Sequence, residues 1–66
     1  MNSKFRSLAA MKASRQQWFT RFDPGMRSRD LQWLRGMKYL VRRPREWEAG
    51  EPTLFEYALT EKGRDA

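Results

Sequence analysis

Tyr39-Leu40-Val41-Arg42-Arg43 and, after a polar gap, Phe55-Glu56-Tyr57-Ala58-Leu59-Thr60-Glu61-Lys62-Gly63-Arg64 decide the reading of this chain. The first run is short, β-branched and aromatic at its start, and ends in arginines. In the second, Phe55, Tyr57 and Leu59 alternate with Leu54, Glu56 and Ala58, the period of a strand with one face covered. Between them Pro44 to Pro52 is rich in turn formers and carries Glu46, Trp47, Glu48, Gly50 and Glu51. The expectation is a β-hairpin with strands over Tyr39–Arg43 and Thr53–Leu59 and an acidic tip.

Working back from the hairpin, Leu31, Trp33, Leu34 and Met37 share one side of a helix spanning Ser28–Met37, with Ser28 as its cap and Asp30 in the first turn, where a carboxylate favours the helix dipole. Asp23-Pro24-Gly25 reads as the preceding turn, because aspartate bonds local backbone, proline cannot continue a helix and glycine allows positive φ. Ser14 and Gln17 make a Ser-x-x-Gln capping pattern, which predicts a helix after Ser14. Its Trp18, Phe19 and Phe22 fall on one arc and are expected in the core. A first helix is expected over Lys4–Ala13, with Asn2 or Ser3 as cap and Phe5, Leu8, Ala9 and Met11 facing inward. The predicted core gathers Trp18, Phe22, Leu31, Leu34 and Leu59.

Opposite the apolar side of the Ser28–Met37 helix stand Arg29, Gln32 and Arg35, three residues apart, with Ser28 beside them. Arginine pairs with guanine O6/N7 and glutamine with adenine N6/N7 when such a face lies in a major groove. Arg27, at or before the cap, is better placed for a phosphate, as are Lys38 at the helix end and Arg42, Arg43 and Arg45 on the first hairpin arm. The bland alternative for the row is a solvated helix face, and for Trp47 a ring folded over its hairpin rather than a contact for a protein partner.

These residues resemble those of the winged helix-turn-helix regulators of bacteria and phages, in which a helix running into a Tyr-Leu-Val-Arg strand is followed by a hairpin and a Tyr-x-Leu-Thr-x-Lys-Gly-Arg segment. The resemblance covers roughly residues 14 to 66. It implies an α+β, mainly helical fold, with three short helices followed by a two-stranded β-hairpin wing, and a recognition helix that reads duplex DNA. It also implies a left-handed turn four residues after Leu34, where Lys38 stands in place of the usual glycine and Gly36 two positions earlier. After Thr60 it allows at most about one turn of helix in this chain.

Composition agrees. A chain of 66 residues is a single domain, residues 1–66, with a small core. Residues 1–45 carry twelve Lys/Arg against Asp23 and Asp30, a net of +10, whereas residues 46–66 have a net of −4. This polarity favours a polyanionic partner. Arginine outnumbers lysine ten to four, which suits bidentate contacts with phosphates and guanine edges. Without cysteine or histidine, the disulfide, structural-zinc and histidine-base chemistries are excluded, and neither a metal nor a cofactor is expected. No apolar run has the length of a bilayer span or of a signal peptide, so a cytoplasmic, nucleoid-associated location without a membrane partner is expected. Glu46, Glu48 and Glu51 share one loop with no evident cleft to shift their pKa values, and the chain is read as a non-enzyme.

The expected function is therefore sequence-specific duplex DNA binding, as a small regulator or accessory architectural factor, phage- or mobile-element-like by analogy of size. Homodimerisation or cooperative assembly on DNA is compatible with it. The alternative is a module that inhibits or recruits a host protein through the hairpin and Trp47; RNA binding is less favoured, for want of an aromatic strand motif.

Overall fold

In the computed structural model, which describes residues 3–45 and 54–66, the first helix, α1, spans Ser3–Ala13. Its buried side is Ser7, Leu8 and Met11. That stripe is rotated from the expected one. Phe5 is 43% exposed and Ala9 is exposed, while Ser7 lies inside because its hydroxyl donates to the Gly25 carbonyl at 3.1 Å. Phe5 instead meets Trp33 edge-on, with centroids 6.0 Å apart. Asn2 lies outside the described residues.

The helix expected after Ser14 is not formed. Ser14 ends α1: its N–H donates to the carbonyls of Ala10 and Met11, and its hydroxyl accepts from the Gln16 N–H at 3.0 Å. Such a short-range side-chain bond competes with helix formation, so the serine that resembled an N-cap is a stop. Beyond it the chain is irregular, with bends at Arg15 and Gln17, until Phe19 forms an antiparallel bridge to Tyr57, N–H to carbonyl at 2.9 Å in one direction and 2.8 Å in the other. Phe19 is buried, Trp18 is half-buried, and Phe22, expected in the core, is 71% exposed.

The reversal that follows is built as its sequence dictates. The Asp23 carboxylate accepts from the Thr20 N–H at 2.6 Å, the Asp23 N–H returns to the Thr20 carbonyl, and Gly25 takes φ of 79°. The second helix, α2, then spans Ser28–Gly36. Arg27, not Ser28, is its N-cap, without a side-chain cap bond; Ser28 is already inside the first turn, where its hydroxyl accepts from Gln32. Leu31 and Leu34 are fully buried at the centre of a core that also holds Leu8, Met11, Phe19, Met26, Leu40 and Tyr57. Trp33 packs against this core and Met37 is 41% exposed, so the inward arc is narrower than the sequence implies. Asp30 is buried in the first turn, and its Oδ2 has no hydrogen-bond partner among the described residues.

At its C-terminus α2 closes with the Tyr39 N–H on the Leu34 carbonyl and the Lys38 N–H on the Arg35 carbonyl. This 6→1 and 5→2 pair is the Schellman motif, which places its left-handed residue at Lys38, with φ of 69°. The turn anticipated four residues after Leu34 is present, and a lysine bears its strain.

Strands β1, Leu40–Arg45, and β2, Leu54–Leu59, pair antiparallel with Leu40 opposite Leu59 and Arg45 opposite Leu54. Pro44 and Arg45, expected in the loop, belong to β1. Strand β2 is covered on both faces, since Leu54, Tyr57 and Ala58 are all buried. Trp47 and the acidic residues Glu46, Glu48 and Glu51 lie outside the described residues.

A last short helix, α3, covers Glu61–Asp65, capped by the Thr60 hydroxyl, which accepts from the Gly63 N–H at 3.0 Å. The same hydroxyl lies 2.7 Å from the Lys38 carbonyl, and the Lys62 ammonium donates to the Met37 carbonyl at 3.1 Å. The Thr-Glu-Lys-Gly segment thus clasps the α2–β1 turn. The described residues form a small α+β fold of three helices and a two-stranded hairpin, although the third helix is this terminal one and not the expected middle one.

Candidate nucleic-acid interface

The outer face of α2 carries what the sequence put there. Arg29, Gln32 and Arg35 are exposed, as are Arg27 at the cap and Lys38 at the turn, and Ser28 is half-buried. Two helical turns anchored by Leu31 and Leu34 hold this row in place. The Gln32 amide donates to the Ser28 hydroxyl at 3.1 Å, which leaves its carbonyl oxygen as the outward acceptor.

Strand alternation divides the three cations of the hairpin arm. Arg42 is opposite Tyr57 and shares its face with Leu40, Leu59 and Phe55; Arg43, opposite Glu56, and Arg45, opposite Leu54, are on the other face. Arg42 therefore turns toward α2. Its guanidinium lies over the Phe55 ring, 4.2 Å from the centroid, and it lines a groove of about 180 Å³ with Arg21, Ser28, Gln32, Phe55 and Tyr57. A neighbouring depression of about 330 Å³ is lined by Arg35, Lys38, Val41 and Arg42 among others. Arg42 joins the two, so helix face and hairpin arm form one basic surface.

Arg43 is more committed. Its Nε donates to Glu56 at 3.2 Å and its guanidinium stacks on Trp18 at 3.7 Å, so the residue expected to hold phosphate braces Trp18 against the outer face of the hairpin. At least five cations of the described residues lie over rings: Lys4 on Trp33, Arg21 on Phe22, Arg42 on Phe55, Arg43 on Trp18 and Lys62 on Tyr39. Roughly one such pair per 70–80 residues is usual. Here the rings orient these five side chains.

Arg21 was not among the expected residues. A helix over this stretch would have turned it to a solvated side, whereas the bridge at Phe19 and the Thr20–Asp23 reversal bring it to the groove beside Ser28 and Gln32. The signal available in the sequence was the Thr20-x-x-Asp23 pair before Pro24, which marks a bonded turn as readily as a helix end.

Among the described residues no group of His, Cys, Asp and Glu is arranged to hold a metal ion, and no helix is long and apolar enough to cross a membrane. No protein-family model matches the chain, and no curated protein or solved structure matches it significantly.

Proposed function

We propose that this protein binds duplex DNA through the outer face of α2, as a winged helix-turn-helix in which the helix before the recognition helix is reduced to the turn around Thr20–Asp23. The observation that carries the reading is the exposed row of Arg29, Gln32 and Arg35 on a helix anchored by Leu31 and Leu34, continuous with Arg42 across one groove. The row offers donors for purine edges, and Arg27, Lys38 and Arg42 flank it with charge for the backbone. A small regulator or accessory factor is the role that fits, its action set by abundance or by assembly on DNA.

Fluorescence anisotropy with labelled duplexes, first of random sequence and then of sequences selected by the protein, tests this. The wild type is expected to bind, and Arg29→Ala and Arg35→Ala each to lose about 1–3 kcal/mol and relax the preference at defined base pairs. Full specific binding by both variants would remove α2 as the reading element.

A further inference from the structure

Phe22 is the most exposed large apolar residue described, at 71%, yet it does not sit on a loose loop. Its own N–H donates to the Thr20 hydroxyl at 3.2 Å. On either side the turn is pinned by Thr20 N–H to the Asp23 carboxylate at 2.6 Å, by Met26 N–H to the Asp23 carbonyl at 3.1 Å and by Ser7 to Gly25. Gln16 reaches the second Asp23 oxygen at 3.3 Å. A bonded turn that could have buried its aromatic residue holds it outward instead.

The surroundings of the ring narrow what it meets. The Arg21 guanidinium lies over it at 4.9 Å and also lines the groove with Ser28, Gln32 and Arg42, so Phe22 is one guanidinium away from the basic surface. The carboxylate next to it, Asp23, is occupied by the Gln16 amide and the Thr20 N–H. The nearby guanidinium groups of Arg21 and Arg42 favour an acidic partner there. A ring with few rotatable bonds, held rigidly at the rim of a cationic face, is suited to entering a base step of a duplex lying on that face; apolar wedges of this kind partly unstack a step and bend the helix.

We infer that Phe22 is a wedge that enters a base step at the edge of the bound duplex and bends it, with Arg21 released from the ring to the backbone phosphate beside the opened step. This inference rests on the duplex-binding reading and adds to it a residue outside α2 and the hairpin. Pyrimidine–purine steps, the easiest to unstack, are its preferred targets.

The test uses a short duplex containing several TpA steps, labelled at its two ends for energy transfer, with 2-aminopurine at one of those steps. Wild type, Phe22→Ala and Phe22→Leu are titrated in at low salt. The wild type is expected to raise both end-to-end transfer and 2-aminopurine emission. Phe22→Ala should bind within about tenfold of wild type with neither signal, and Phe22→Leu should keep part of both. Binding by the wild type without either signal, or equal signals from Phe22→Ala, would overturn the wedge and leave duplex binding standing. No binding by the wild type would overturn both. A concentration-dependent dimer that Phe22→Ala abolishes, seen by sedimentation without DNA, would reassign the ring to self-association and overturn the wedge.

Discussion

Gly63 approaches Tyr39 so closely that a Cβ on the glycine would stand 2.1 Å from the Tyr39 carbonyl oxygen and 3.3 Å from a Leu59 methyl. The obstacle is backbone, and the carbonyl already accepts the Thr60 N–H at 3.0 Å, so it cannot move aside cheaply. Gly63→Ala is expected to destabilise the fold by about 1–3 kcal/mol, as overpacking does. Urea unfolding of the variant checks this; unchanged stability would mean that α3 does not clasp the α2–β1 turn.

Lys38 is the counterpart of that clasp. With φ of 69° it occupies a conformation that costs a side-chain-bearing residue about 1–2 kcal/mol, part of which glycine would recover after its larger loss of chain entropy. Lys38→Gly should raise stability by roughly 0.5–1 kcal/mol. In the same variant the salt dependence of DNA binding should weaken by about one unit of slope if the ammonium meets a phosphate. Melting and binding measured on one preparation separate the two effects.

Helix α2 turns Leu31 and Leu34 inward and Arg29, Gln32 and Arg35 outward, so packing and the proposed recognition can be tested separately. Leu34→Ala empties the centre of the core and should cost about 2–5 kcal/mol, a large share of the stability of so small a domain. Arg35→Ala, one residue further on, should leave the melting curve nearly unchanged and lose recognition. Thermal melts of both variants beside a binding assay decide it; a Leu34→Ala protein of normal stability would contradict the core described here.

Much of this was legible because burial imposes a period. Leu31 and Leu34 fixed α2, and with it the outward row of Arg29, Gln32 and Arg35. The hairpin followed from alternation about Tyr57, although β1 runs on through Pro44 and Arg45; proline and charge are tolerated there because no described strand pairs with its outer edge. The segment from Ser14 to Phe22 departs from its helical periodicity for a physical reason. Trp18, Phe19 and Phe22 satisfy a helical wheel, and what overrides it is the Phe19–Tyr57 pairing, a contact between distant parts of the chain that no local pattern encodes. The same pairing leaves Phe22 at the surface and Arg21 in the groove beside Ser28 and Gln32. The partnership of Arg43 with Glu56 was hidden likewise, since it depends on strand register.

That partnership yields its own prediction. Glu56, half-buried, holds the exposed Arg43 by a surface pair of the kind that contributes about 0.2–1 kcal/mol, so Glu56→Gln should cost little stability. Removing the acid should tighten DNA binding modestly, whereas Arg43→Ala should weaken it less than Arg42→Ala. An Arg43→Ala loss as large as that of Arg42→Ala would place both faces of the hairpin on the DNA.

Electrostatics sets the overall scale. If four to six phosphates are neutralised by the basic portion, the slope of log K against log salt should be about −4 to −5. Affinity that is the same at low and physiological salt would deny the +10 portion of residues 1–45 any part in binding.

The most direct measurement is a heteronuclear NMR titration of the whole chain with duplex DNA, following backbone amides and arginine side chains together. Shifts are expected to concentrate at Arg27 to Lys38 and at Arg42, with Arg21 joining them across the shared groove, while Lys12 and the α3 residues stay still. Shifts confined to α1 and α3, or none at saturating duplex in low salt, would contradict duplex binding through α2.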